Sequence, residues 1–287
     1  MKSLAYPVAL VLLVACDGNS YSSPKDTSAN DTGELITDSG TDSGSDTQDS
    51  GSDTGNDTGR DTSDTGDTGG GGGNDPCINS YDPVDVTGGV REYTITMSLG
   101  AGTSAQENYG GTPGGLYDVY ENMSLPDGSS WTVDTYISCR ASGSNTGMYI
   151  TEWQGTTAGT PPSSAMRYLP AEADMGTIGN WSYSFTAGID PLGLGLPTEV
   201  SFEGTFAEIG FETVELYDGT FFEAYHVRNT FSETADFFGT PFNQTGTIDA
   251  WYVKGLGLVK ETIVNDADGA VVLDRTLSGY YGGLSPE

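Results

Sequence analysis

The sequence predicts an all-β fold: an antiparallel, strongly curved sheet or half-barrel of about ten strands, following a disordered acidic linker. Three observations predict it. Beyond Cys77 apolar residues alternate with polar ones in short runs, the period of a half-buried strand. Turn signals such as "PDGS", "YDGT" and "NDADGA" separate those runs. No window sustains a 3.6-residue period, and at most "PAEADMG" (170–176) forms a helical turn.

The expected strands, in order, are 91–99, 115–123, 130–140, 147–154, 181–187, 198–209, 211–217, 222–231, 246–253, 258–265 and 270–281. Each is rich in Val, Ile, Thr, Tyr, Phe or Trp, which pack well on a pleated surface. Residues 77–287 hold 28 of the chain's aromatic residues and 29 of its glycines. That aromatic mass supplies one sizeable core, and the glycines supply many turns, so 77–287 reads as a single β domain.

The chain ahead of that domain has a different job. Residues 1–15 open with Lys2, continue in an apolar run from Leu4 to Val14 and end in Ala15, the layout of a secretory signal peptide; the run is too short to span a bilayer. The ending Leu13-Val14-Ala15-Cys16 resembles the lipobox of bacterial lipoproteins, which implies cleavage before Cys16 and acylation of the new N-terminal cysteine. Residues 16–76 are then a lipidated Cys16 followed by a disordered tether of Asp, Ser, Thr, Gly and Asn, with almost nothing apolar to bury. Aspartates every three or four residues between Asp38 and Asp67 would stack like charges on a helix, so the tether is extended. The resulting address is the cell envelope: a membrane-anchored lipoprotein facing the periplasm or the cell surface, partnered with the membrane through its acyl chains.

Net charge excludes one class of partner. The chain carries a formal charge of -31, and residues 17–76 alone hold 14 acidic against 2 basic side chains. Such a field repels phosphate backbones, so nucleic acid is not a partner. With Cys16 lipidated, Cys77 and Cys139 remain, either as a disulfide closing a long loop or as two buried thiols.

The order "RYLPAEADMGTIGNWSYSF" (167–185), "FETVELYDGTFFEAYHVRNTF" (211–231) and "GTIDAWYVKGLGLVKE" (246–261) resembles a family of uncharacterised bacterial envelope domains. Those domains are similar to the curved β half-barrels of periplasmic lipoprotein carriers. The resemblance covers about 115 residues, is most specific in the final hairpin, and implies no catalytic residues.

Candidate chemistry is sparse. The repeated Asp-Thr/Ser-Gly of residues 49–73 looks like an aspartic-protease signature, but such a dyad needs two buried carboxylates sharing a proton, and here the flanks are Ser, Gly, Asn and more Asp. His226, the only histidine, shares a strand face with Ala224 and Arg228; the more apolar face, with Tyr225 and Val227, should point inward and leave His226 outward or at an edge. Glu203, Glu208, Glu212 and Glu215 read as the wet face of a sheet rather than a glycosidase pair. Leu192, Leu194 and Leu196 sit in a Gly/Pro-rich connection where polar residues are expected, and are the candidates for a ligand-binding mouth. In "WYVKGLGLVK", Gly255 and Gly257 should permit a tight turn or bulge while Trp251 and Leu258 pack the core. No metal, cofactor or catalytic group is expected. The function expected is binding, of an apolar ligand or an envelope protein, with a carboxylate hydrolase or a purely structural module as alternatives.

Overall fold

Alternation builds one sheet. In the computed structural model residues 79–97, 100–111, 115–124, 128, 130–140, 145–155, 158–160, 162–189, 197–216, 218–237 and 239–287 are described. The signal segment, Cys16, the acidic tether, Cys77, Leu192, Leu194 and Leu196 lie outside the described residues.

Thirteen strands follow: β1 (Val90–Met97), β2 (Gly100–Gly111), β3 (Leu116–Ser124), β4 (Ser130–Arg140), β5 (Gly147–Gly155), β6 (Ala158–Thr160), β7 (Met166–Pro170), β8 (Asn180–Ile189), β9 (Thr198–Glu215), β10 (Phe221–Phe237), β11 (Thr240–Val253), β12 (Gly257–Asn265) and β13 (Val271–Tyr281). All pairings are antiparallel, in the order β6-β8-β9-β10-β11-β12-β13-β1-β2-β3-β4-β5-β7. A 3-10 turn, Glu172–Asp174, lies inside the stretch expected to hold a helical turn.

The two edge strands, β6 and β7, are consecutive in the chain, so the sheet curls until its edges nearly meet. Side chains and loop atoms bridge the seam: Trp181 Nε1 donates to the Arg167 carbonyl (2.8 Å), and the Ser163 N–H donates to the Thr186 carbonyl (2.8 Å). The sheet is therefore strongly curved, as expected, and nearly closed into a barrel. A barrel leaves few unpaired edge groups for another chain to pair with.

Two differences from the expected strands have clear causes. β2 reads "GAGTSAQENYGG", and register places Gly102, Ser104, Gln106 and Asn108 on the same face as Tyr93 and Ile95 of β1. Its inward positions are small or polar, so it carries no apolar alternation to find. Strands 198–209 and 211–217 are one long strand, β9, bent at a bulge where Gly210 takes φ 116° opposite His226.

One end of the barrel is plugged. Residues 79–87 run across it before β1 begins, with Val84 fully buried and the Asn79 side-chain amide donating to the Pro170 carbonyl (2.7 Å). The C-terminal tail closes the same end, where the Ser285 N–H donates to the Gly255 carbonyl (3.2 Å). Gly255 (φ 76°) and Gly257 (φ 90°) form the tight turn the sequence foretells; a Cβ on Gly255 would lie 2.0 Å from the Ser285 carbonyl oxygen. Leu258 is buried as expected. Trp251 differs: register pairs it with His226 and Lys260 on the outer face, where its ring stacks on the imidazole (4.4 Å).

Candidate functional site

The same alternation that makes the core also places charges in it. Following the register round the barrel, the inward face of β1 carries Arg91, that of β3 Glu121, that of β10 Asn229 and Glu233, that of β12 Glu261 and that of β13 Arg275. Each sits one step from an apolar residue in phase with it, and all six are buried. Burying a charge is tolerated only when it is paired and hydrogen-bonded. Two knots meet that condition.

The first knot fastens the plug. Arg91, 1% exposed, donates to Asp82 Oδ1 (2.9 Å), Asn108 Oδ1 (2.7 Å) and the Leu256 carbonyl (3.2 Å). Tyr168 donates its hydroxyl to the other oxygen, Asp82 Oδ2 (2.7 Å). Burial alone would depress the Arg91 pKa, but Asp82 beside it holds the guanidinium above its usual value.

The second knot crosses the middle of the barrel. Arg275 lies between Glu121 Oε1 (2.9 Å) and Glu261 Oε2 (3.0 Å). Ser104 and Gln106 also donate to Glu121 (2.5 and 2.8 Å), so that carboxylate is well solvated by the protein. Glu261 is not: burial pushes its pKa up despite Arg275, and Glu121 adds to the shift. Desolvation would lower the Arg275 pKa, yet Glu261 and Glu121 raise it.

Above these knots the interior is not filled. A cavity of about 240 Å³ lies within the barrel, lined from β1–β5, β7–β13 and the plug. Its wall is mostly apolar, with Trp153, Phe185, Phe202 and Phe206 among the lining residues. The rings form a continuous surface: Trp153 meets Phe185 edge-on (5.5 Å), Phe185 stacks on Phe202 (4.9 Å), and Tyr183 links Phe185 to Phe206 (5.8 and 5.5 Å). Tyr183 accepts a hydrogen bond from the Asn229 amide nitrogen (3.2 Å), and burial pushes its pKa up to about 12.

Two polar atoms on this wall have no hydrogen-bond partner among the described residues: the Trp153 indole Nε1 and Asn229 Oδ1, on side chains of residues 4% and 6% exposed. A buried orphan of this kind costs about 1–3 kcal/mol. Proteins keep such groups where they serve a ligand or a water.

Gly204 keeps the wall open. It lies between Tyr183 and Phe231, and a Cβ there would come 2.5 Å from Tyr183 Oη and 2.7 Å from the Thr230 carbonyl. Gly204→Ala is expected to drive the Tyr183 ring from its place, break its bond to Asn229 and destabilise the fold by about 1–3 kcal/mol, as overpacking does. Chemical denaturation of both proteins checks the magnitude.

The other candidates sit elsewhere. His226 is on the outer face as expected, but it is covered rather than exposed: Trp251 lies over the ring, Nδ1 faces Glu212 Oε1 (2.9 Å) and Nε2 faces Asp249 Oδ1 (2.6 Å). Arg228 shares Asp249 (2.8 Å). Nε2 is hydrogen-bonded to Asp249 and Nδ1 lies within ion-pair distance of Glu212, which makes the cluster a clamp between β9, β10 and β11. Glu203, Glu212 and Glu215 are exposed, as a wet sheet face requires. Glu208 accepts hydrogen bonds from Tyr225 Oη (2.6 Å) and the Gly179 N–H (3.2 Å), which ties β9 to the turn before β8. The carboxylates that do share a cavity are Asp82, Glu121, Glu233 and Glu261, none of which the sequence reading singles out. Cys139 on β4 is disulfide-bonded, and its partner lies outside the described residues. Among the described residues no cluster of three or more His, Cys, Asp or Glu side chains is placed to hold a metal ion, and no helix is long and apolar enough to cross a membrane.

No protein-family model and no curated protein matches the chain. Among solved structures, the fold is similar to that of a protein provisionally described as a lipoprotein from Parabacteroides distasonis ATCC 8503 (TM-score 0.50, 12% identity, 71% of this chain and 99% of that one). A provisionally assigned exported protein with a YmcC-like fold from Bacteroides fragilis NCTC 9343 also aligns (TM-score 0.33, 11% identity, 68% and 96%). At 12% identity the first likeness shows a shared fold.

Proposed function

We propose that this chain is a lipid-anchored envelope protein that binds a small, largely apolar ligand inside its barrel and catalyses no reaction. The observation that carries the reading is the cavity of about 240 Å³ with its aromatic wall and two buried, unpartnered polar atoms. A purely structural module would have filled that space with side chains, at the packing density of ordinary interiors.

Size narrows the ligand. An apolar cavity of about 150 Å³ holds benzene, whereas drug-sized pockets start at about 300 Å³. The barrel therefore suits a single-ring or short-chain molecule. A space of this size does not suit a cargo of long acyl chains.

Charge pairing weighs against the hydrolase alternative. Glu121 and Glu261 both line the cavity, and one guanidinium bridges them. Neither is free to serve as an acid–base partner of the other, because Arg275 lies between them. The envelope address rests on the lipobox-like ending at Cys16, the acidic tether and the fold shared with a protein provisionally described as a lipoprotein.

Native mass spectrometry of the protein extracted from membranes of its own host tests both halves. The expected polypeptide begins at an acylated Cys16 and carries one small non-covalent molecule. Ala250→Leu, which adds bulk at a cavity-lining position, is expected to lose that molecule and keep the acyl groups. An unmodified N-terminus would overturn the anchor, and a ligand-free mass would overturn the binding role.

A further inference from the structure

We infer that the ligand of the barrel cavity is a single-ring molecule with polar groups at its two ends: a donor such as a hydroxyl, given to Asn229 Oδ1, and an acceptor oxygen such as a carbonyl, which takes the Trp153 indole N–H. This deepens the binding role proposed above and rests on it.

Three observations converge. First, the two unpartnered polar atoms on the aromatic wall are of opposite kind. Trp153 Nε1 can only donate, and Asn229 directs its amide nitrogen to Tyr183 Oη (3.2 Å), which leaves Oδ1 as an acceptor. Both belong to cavity-lining residues that are more than nine-tenths buried, so bulk water does not serve them. Second, one aromatic surface joins them. Trp153 on β5 meets Phe185 edge-on, Phe185 stacks on Tyr183, and Tyr183 holds Asn229 of β10. The donor and the acceptor thus stand at its two ends with ring faces between them, an order matched by a flat molecule with polar groups at opposite ends. Third, the charged groups of the lining are already engaged. Arg91 is held by Asp82, Arg275 by Glu121 and Glu261, and Glu233 has an interaction of its own. That leaves the neutral indole and amide to read the ligand, through the polarity of its hydrogen bonds.

Three uncharged molecules of similar size decide the matter: 4-hydroxyacetophenone, which carries both groups, acetophenone, which lacks the hydroxyl, and 4-ethylphenol, which lacks the carbonyl. Each is titrated calorimetrically at pH 6 into the full chain in a sugar-based non-ionic detergent. 4-Hydroxyacetophenone is expected to bind at least about ten-fold more tightly than either of the others. Asn229→Leu is expected to erase its advantage over acetophenone and keep its advantage over 4-ethylphenol; Trp153→Phe is expected to do the reverse. If either variant does not fold, wild-type crystals soaked in 4-hydroxyacetophenone are read instead, with the carbonyl oxygen expected within hydrogen-bond distance of Trp153 Nε1 and the hydroxyl at Asn229 Oδ1. Equal affinity for all three molecules, advantages that survive both variants, or a ring seated with its oxygens elsewhere would overturn this inference and leave the binding role standing. Failure of all three to bind would overturn it as well, while the binding role is judged separately, by the mass of the protein drawn from its own host.

Discussion

Replacing Arg275 with methionine is expected to destabilise the barrel by about 3–5 kcal/mol, among the largest losses a single substitution can produce here. The guanidinium lies between Glu121 and Glu261 at 2.9 and 3.0 Å in the interior, and its removal leaves two buried carboxylates facing each other. For a domain of this size the midpoint of thermal unfolding should fall by about 6–20 °C. Adding Glu121→Gln and Glu261→Gln to Arg275→Met is expected to recover part of the loss, because the cost lies in the uncompensated charge rather than in lost packing. Thermal and urea unfolding of the wild type, the single variant and the triple variant provides the comparison. A single variant within about 1 kcal/mol of wild type would mean that the two carboxylates are protonated or hydrated in the native state.

The second large effect concerns the plug. Asp82→Ala removes the acceptor of both Arg91 and Tyr168, and leaves a guanidinium that is 1% exposed with only Asn108 and a carbonyl for company. About 3–5 kcal/mol of stability should be lost. The loss should also be local: the amides of Asp82, Val84 and Val86, bonded within the plug, are expected to lose hydrogen-exchange protection before those of β10 and β11 do. Equal loss across all strands would show that the plug and barrel unfold as one unit.

The strands with Val, Ile, Phe or Tyr at every second position were legible from the sequence because burial and periodicity agree there. β13 is an example: Leu273 and Leu277 bracket the inward face. The same phase exposes the charged interior to a closer reading. Arg275 falls between those two leucines, Glu261 lies in step with Ile263, and Glu121 lies in step with Val119 and Met123. A charged residue in the apolar phase of a strand is the sequence signal for a buried ion pair, but its partners come from near and far alike: Arg275 meets Glu261 on the adjacent strand and Glu121 across the barrel on β3, and only the folded sheet brings the three together. β2 and the thirteenth-strand count were not legible, because Gly102, Ser104 and Asn108 face a polar interior and therefore break the pattern that marks a strand. His226 was placed on the correct face, yet its burial under Trp251 depends on a neighbouring strand, as does the outward turn of Trp251 itself. The cavity was illegible for a related reason: whether inward side chains fill a barrel depends on its circumference, and strands as short as β6 and β7 settle the closure.

The proposed binding role requires a barrel interior that is open to a small ligand. Diffraction from crystals pressurised with xenon tests it most directly, since xenon enters apolar cavities of this size without needing hydrogen bonds. The result expected is a xenon atom against Trp153, Phe185 and Phe202, absent in crystals of Ala250→Leu. Crystals that take up no xenon there, with the aromatic wall collapsed onto Val227 and Ile248, would contradict the claim.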